Sequence, residues 1–273
     1  MAGAEPLVCL CGGGQLRRVF ECQAPPAGEI PYPFAKGQAY WREVCRCVLC
    51  GHFVSRHHLD EGPLYRGQYV NATYGDLEGI KHSHARVMGL PLEKSDNAGR
   101  VQRVLAFAAA YWGPRSAPAI LDVGSGLCVF LTRMKAAGWN CTALDPDPRA
   151  ARHALENVGV EARCGDFMAV DLGPDYDAVS FNKVLEHVAD PVAMLARAKG
   201  CLRPGGFVYV EVPDGEAAMV EGPGREEFFI DHPHIFSSAS LAILVGRAGF
   251  RLLLLERLRE PSTKFTLRAF LAL

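Results

Sequence analysis

The sequence has no long block of Lys or Arg and almost no net charge, −1 from 29 Lys and Arg against 30 Asp and Glu. A broad phosphate-binding face needs a surplus of cations, so no nucleic-acid partner is expected. No apolar run approaches the roughly 20 residues that span a bilayer; the longest, VLAFAAAYWG, falls far short. The opening MAGAEPLVCLCGGG carries no basic segment ahead of an apolar one, so no export signal is read. Internal repeats and low-complexity tracts are also missing. Together these absences predict a soluble, cytoplasmic protein with no membrane partner, whose cysteines stay reduced.

Against them stand ten cysteines, unevenly placed. Six fall in the first fifty residues (Cys9, Cys11, Cys22, Cys45, Cys47, Cys50), whereas Cys128, Cys141, Cys164 and Cys201 are scattered through strand-like and helical segments that suit core thiols. A reducing compartment makes metal binding a better reason for the first group than disulfides. Cys47-Val48-Leu49-Cys50 has the two-residue spacing of a zinc knuckle, and Cys9-Leu10-Cys11 offers a tighter second pair. Cys9, Cys11, Cys47 and Cys50 are therefore the predicted ligands of a structural zinc ion, the alternative being reduced thiols left from a lost site. Residues 1–60 read as a small Cys-rich module and residues 61–94 as a linking segment bearing Tyr65, Tyr69 and Tyr74.

From residue 95 to 273 the pattern becomes regular. AILDVG, NCTALD, VEARCGD, YDAVSFNKV and GGFVYVEVP are short apolar runs suited to strands, separated by helical stretches that end at glycines. Such alternation predicts an α/β fold, a Rossmann-like doubly wound, mainly parallel sheet covered on both faces. RLLLLERL and KFTLRAFLAL would close it as a hairpin-like pair.

The first strand leads into the turn Gly124-Ser125-Gly126, where a doubly wound sheet binds its ligand. A dinucleotide site would want a third glycine at Val129, and Asp122 would repel a pyrophosphate while favouring an ammonium or a sulfonium. Asp145, 21 residues after Gly124, ends the second strand where an acid accepts hydrogen bonds from ribose hydroxyls, and Asp166 ends the third, placed for an adenine amino group with Phe167 or a neighbouring apolar side chain against the ring. Any one of these acids could be an ordinary helix cap. Three at equivalent strand ends point to S-adenosylmethionine.

ILDVGSG, ALDPD, CGDF, FNKVLEHVADP and CLRPGGFVYVEVPD, in this order, resemble the motif set of class I S-adenosylmethionine-dependent methyltransferases, from about Ser95 to Leu273. Cys128 stands where that family often has a further glycine. Methyl transfer asks for a base beyond the fourth strand, and His187 in LEHV is the candidate, with Glu186 read as structural. The run Phe229-Ile230-Asp231-His232 is similar to the Tyr-x-Glu-His signature of sugar C-methyltransferases with an amino-terminal zinc domain. That resemblance implies acceptor-side roles for Asp231 and His232 and a sugar or sugar-nucleotide acceptor. It leaves Phe229 without the hydroxyl, which Tyr69 or Tyr74 could supply, and leaves O-methylation open beside C-methylation. Zinc-domain relatives would also have a two-residue spaced first pair, so Cys45 or His52 could stand in for Cys9. An RNA or protein methyltransferase and a catalytically inert scaffold are the alternative functions.

Overall fold

A computed structural model of the chain describes residues 9–32, 39–57 and 75–273. The amino-terminal part, read from sequence as loops, forms three antiparallel strands, β1 (Leu16–Cys22), β2 (Arg42–Cys47) and β3 (Phe53–His57). Val44 and Phe53 are fully buried here and give the small sheet its own apolar centre with Phe228 and Ile235. Described again from Gly75, the linking segment forms helix α1 (Leu77–Met88), started by the Asp76 side chain accepting from the Gly79 N–H. Tyr65, Tyr69 and Tyr74 lie outside the described residues.

Ser95 caps α2 (Asp96–Trp112), whose buried Val101, Val104 and Ala108 recur at helical spacing. There follow β4 (Ala119–Val123), α3 (Val129–Ala136), β5 (Asn140–Asp145), α4 (Pro148–His153), β6 (Glu161–Cys164), β7 (Tyr176–Asn182), α5 (Pro191–Arg197), β8 (Leu202–Pro213), α6 (Gly215–Glu221), β9 (His234–Ile235), α7 (Ser238–Arg247), β10 (Arg251–Arg259) and β11 (Phe265–Ala272). The seven-stranded sheet runs β10-β11-β8-β7-β4-β5-β6, parallel from β8 to β6, with β11 antiparallel to both of its neighbours. Pro148 and Pro191 at the first helical positions fix the starts of α4 and α5, and Gly159, in the left-handed conformation at φ +70°, ends the π-turn that extends α4.

One face of this sheet packs Leu121, Val179, Phe181 and Val210 under Leu195 of α5 and Leu241 and Leu244 of α7; the other packs Ile120, Ala178, Phe207 and Phe270 under α2 and α3. Both faces are apolar, as a mainly parallel sheet requires. The order reverses at β4, which lies between β5 and β7, so the crevice at the carboxyl ends of these strands is the topological switch point.

The smaller sheet is completed from the far end of the chain: β9 pairs antiparallel with β3, giving the order β1-β2-β3-β9. The seam is close. A Cβ on Gly215 would meet the Phe53 ring at 2.7 Å and Ile235 at 2.8 Å, so only glycine fits there. Among the described residues, no helix is long and apolar enough to cross a membrane.

Candidate functional site

The turn after β4 is held by the Gly124 N–H donating to the Leu144 carbonyl at 2.8 Å. Gly124 has φ +70°, and a Cβ there would come within 2.8 Å of Val184. Cys128 is left-handed too, φ +58° and ψ +20°, as the residue before α3. A side chain in that conformation costs about 1–2 kcal/mol, which explains why a glycine is the usual occupant, and the buried Cys128 thiol packs into the core in exchange. The Ser125 hydroxyl is buried in the turn with no hydrogen-bond partner among the described residues.

Around this turn lie the predicted acids. Asp122 is buried and accepts from the Ser180 hydroxyl and the Asn182 amide, both at 2.7 Å. Asp145, also buried, accepts from the Gly126 N–H at 2.8 Å and the Asp147 N–H at 2.9 Å, one on each carboxylate oxygen, so each oxygen keeps acceptor capacity. Burial pushes both carboxyls up to about 6, against the hydrogen bonds that favour their ionised forms. A carboxyl raised in this way stabilises the fold at low pH and loses that contribution as pH rises through about 6, so at neutral pH both acids sit ionised and under-solvated. A cation or a pair of hydroxyls is what such groups lack. Asp166 is exposed and uses one oxygen on the Met168 N–H at 2.9 Å. Of the side chains expected to face a bound ring, Phe167 is buried, edge-on to Phe181 at 5.6 Å, and its apolar neighbour Met168 is the exposed one.

On the next strand ends a second group assembles. One ligand atom each from Glu186, His187 and His232 lies within 4.8 Å of the others. The Nδ1 atoms of His187 and His232 each lie 2.9 Å from a backbone carbonyl, that of Asp231 and that of Glu227 respectively. A carbonyl can only accept, so in the neutral rings Nδ1 carries the proton and Nε2 is the basic nitrogen. Burial lowers His232, outweighing the opposing pull of Asp231, which keeps the imidazole neutral near pH 7. Burial works to raise Asp231, but His232, His187 and the Tyr32 hydroxyl, which donates to Asp231 Oδ2 at 2.9 Å, hold it below its ordinary value. Glu186 Oε2 is buried with no partner among the described residues. Glu227, by contrast, is absorbed in structure by Arg225 and the Phe265 N–H.

The four predicted cysteines converge. Cys9 Sγ is 3.4 Å from Cys50 Sγ, Cys11 Sγ is 3.5 Å from Cys9 and 3.6 Å from Cys47, and all four lie within 4.8 Å of one another. A zinc ion with sulfur at 2.3 Å needs edges of about 3.8 Å. Neither suggested stand-in joins them: Cys45 is buried elsewhere in β2, and the His52 ring bonds Ser240 and His234. Burial of Cys47 works upward, but the Cys50 and Leu49 N–H groups bring it down to about 7, while burial pushes Cys50 up to about 11.

A family model described as a methyltransferase domain matches residues 94–255, more than half of the chain. The chain belongs to that family. The methyltransferase domain is 28% identical over 160 residues to a ubiquinone biosynthesis O-methyltransferase of Erwinia tasmaniensis, covering 56% of this chain and 60% of that one. It is 34% identical over 169 residues to the protein of the same name in Parvibaculum lavamentivorans, covering 57% and 63%. The chain thus matches less than two thirds of the length of these relatives. In fold it resembles the Burkholderia thailandensis 1,6-didemethyltoxoflavin-N1-methyltransferase, solved with bound 1,6-didemethyltoxoflavin and S-adenosylhomocysteine (TM-score 0.57, 20% identity, 91% of this chain and 98% of that one). The Synechocystis magnesium protoporphyrin IX methyltransferase is comparable, at TM-score 0.55 and 14% identity over 78% and 100%.

Two residues of this candidate site escape a reading of sequence alone. Tyr32 comes from the Cys-rich module, 199 positions from Asp231, and nothing in PYPF marks it. Glu186 was read as structural, and only its unpartnered buried oxygen distinguishes it.

Proposed function

We propose that the protein transfers a methyl group from S-adenosylmethionine to a hydroxyl of a small polar acceptor, with His232 as general base. The observation that carries the reading is the convergence of Glu186, His187, Asp231, His232 and Tyr32 at the strand ends adjoining the glycine turn. The turn fits the cofactor on its own terms. Ser125 offers an orphaned hydroxyl, Asp145 has unused acceptor capacity for two ribose hydroxyls, and Asp122 places negative charge toward the cationic end. Asp166 would take the adenine amino group on its second oxygen, with Met168 rather than Phe167 covering the ring.

The cofactor supplies an electrophilic methyl on a positively charged sulfur. The acceptor hydroxyl, lying against His232, gives its proton to Nε2 as its oxygen gains the methyl, so one positive charge is lost at sulfur and one appears on the imidazole. Asp231, held ionised beside both histidines, stabilises that imidazolium, and Tyr32 fixes the carboxylate's orientation. Glu186 would receive a second acceptor hydroxyl on its open oxygen. The four cysteine thiols would hold a structural zinc ion, and no step passes through it.

Oxygen as the methylated atom is supported by the curated relatives, which are named for O-methyl transfer. A sugar nucleotide as the acceptor is the second reading, favoured by the place of Asp231 and His232 in the Phe229-x-Asp231-His232 run. Screening phenols and sugar nucleotides with methyl-labelled cofactor tests both. On the acceptor so found, His232→Asn is expected to lower kcat by about 10²-fold or more with KM nearly unchanged. Losses under about tenfold in both His232→Asn and His187→Asn would remove the histidine base from the mechanism.

A further inference from the structure

Strand β9 begins two residues after His232, and it belongs to the small sheet. Val54 pairs with His234 and Phe53 with Ile235, while the Ser55 N–H donates to the Pro233 carbonyl at 3.0 Å. Its other side reaches the loop after β7, where the His234 N–H donates to the Glu186 carbonyl at 3.2 Å. The residues that carry the proposed chemistry are thus hung on a strand whose register is set by β3.

Behind β9 lies a chain of side chains that this chemistry does not use. His52 is fully buried, two residues past Cys50; its Nε2 is 3.1 Å from His234 Nδ1 and its Nδ1 is 3.2 Å from the Ser240 hydroxyl. His234 Nε2 lies 3.4 Å from the Ala189 carbonyl. Because that carbonyl can only accept, the roles run one way along the rings: His234 Nε2 donates to Ala189 and His52 Nε2 donates to His234 Nδ1, which leaves His52 Nδ1 as an acceptor for the one proton of the Ser240 hydroxyl, a proton that the Ser237 carbonyl, also 3.2 Å from Ser240 Oγ, competes for. Each ring nitrogen has one partner and one role. The Ser237 hydroxyl, at the start of α7, donates to the Cys50 carbonyl and ties the cysteine loop to the same helix end.

We propose that His52 is a positioning residue: the Ser240–His52–His234–Ala189 chain locks β9 against the Cys47–Cys50 loop and so sets where His232 and Glu186 stand in the acceptor site. This rests on the functional reading of His232 given above. An ordered cysteine cluster then acts on methyl transfer through β9, without touching cofactor or acceptor. Histidine is needed at position 52 because the span asks for an acceptor and a donor on opposite edges of one rigid ring.

The test uses the full, metal-loaded chain labelled with 15N-histidine. In wild type, the imidazole spectra should show His187 and His232 each in the single tautomer protonated at Nδ1. His52→Leu should shift both resonances and mix the tautomers of His232, while His52→Gln, which keeps a donor and an acceptor, should restore most of the wild-type spectrum. Calorimetry with S-adenosylmethionine on the same samples should change by less than about twofold, and turnover of an identified acceptor should fall by about tenfold in kcat. Unchanged His187 and His232 spectra in His52→Leu would overturn the proposal. If His52→Leu does not fold, Ser240→Ala carries the test with a smaller shift in the same resonances, and no shift overturns it. Failure of the wild-type protein to bind S-adenosylmethionine would instead overturn the functional reading, leaving the spectra to decide the role of His52.

Discussion

Replacing Glu211 with glutamine is expected to destabilise the fold by about 3–5 kcal/mol, because it leaves buried cations without their counter-charge. Glu211 is fully buried on β8. It accepts a two-pronged contact from Arg100 Nε (2.9 Å) and Nη2, the Tyr209 hydroxyl at 2.7 Å, and Arg268 Nε at 3.3 Å; Arg268 is tied onward to Glu260 at 2.9 Å. Burial works to raise its carboxyl, but Arg100, Lys183 and Arg268 outweigh that and hold it well below the usual carboxylate range. A group lowered in this way stabilises the fold above its unfolded value and loses that contribution as pH falls through the folded one. The deficit of the variant should therefore be complete at neutral pH, begin to shrink as pH falls below the ordinary glutamate value of about 4.5, and vanish only in strong acid. Urea unfolding at pH 7 measures it, with a companion fall in Tm on the order of 10 °C. A loss below about 1 kcal/mol would mean that water, not Glu211, neutralises Arg100. The network matters for the site because β8 pairs Glu211 with Asn182 of β7, whose amide holds Asp122.

Stripping metal from the cysteine cluster is expected to have an effect as large, since binding a structural zinc ion contributes about 10 kcal/mol or more to the fold of such modules. The buried apolar cluster of the small sheet is only Val44, Phe53, Ala218, Phe228 and Ile235, a small core for a module of this kind. The purified protein should carry one zinc ion per chain, and Cys9, Cys11, Cys47 and Cys50 should resist alkylation until a strong chelator is added. After chelation, residues 9–57 should become protease-sensitive while the larger sheet persists. Cys47→Ser should reproduce this without chelator. Equal alkylation rates with and without chelator would contradict a bound ion.

The architecture was largely legible because its determinants are local. Apolar runs of strand length, Pro148 and Pro191 at helix starts, and Gly159 at a helix end each act within a few residues. The strand-end acids were legible for the same reason: β4, β5 and β6 place Asp122, Asp145 and Asp166 by topology alone. What stayed hidden depends on contacts far apart in sequence. Strand β9 is two residues long and is defined by pairing with β3, so no periodicity could announce it. Tyr32 reaches Asp231, and His52 reaches His234 across 182 positions, through that pairing. The four cysteines named from sequence converge in the fold, and it is the fold that places Cys9 rather than Cys45 or His52 beside Cys11. Sequence left open whether Phe167 or an apolar neighbour would face the ring, because alternation cannot say which of the two, Phe167 or Met168, turns inward after a short edge strand.

The measurement that bears most directly on the account is calorimetric titration with S-adenosylmethionine of the wild-type protein and of Asp145→Ala, each at pH 7.5 and 5.5. Micromolar binding at the higher pH, weakened by at least about 100-fold in Asp145→Ala, is the predicted result. Affinity should also fall at the lower pH, because Asp122 and Asp145 take up protons at about 6 and the ligand must displace them. Equal binding by wild type and Asp145→Ala at both pH values, or no binding by either, would contradict the assignment of the strand-end acids to the cofactor.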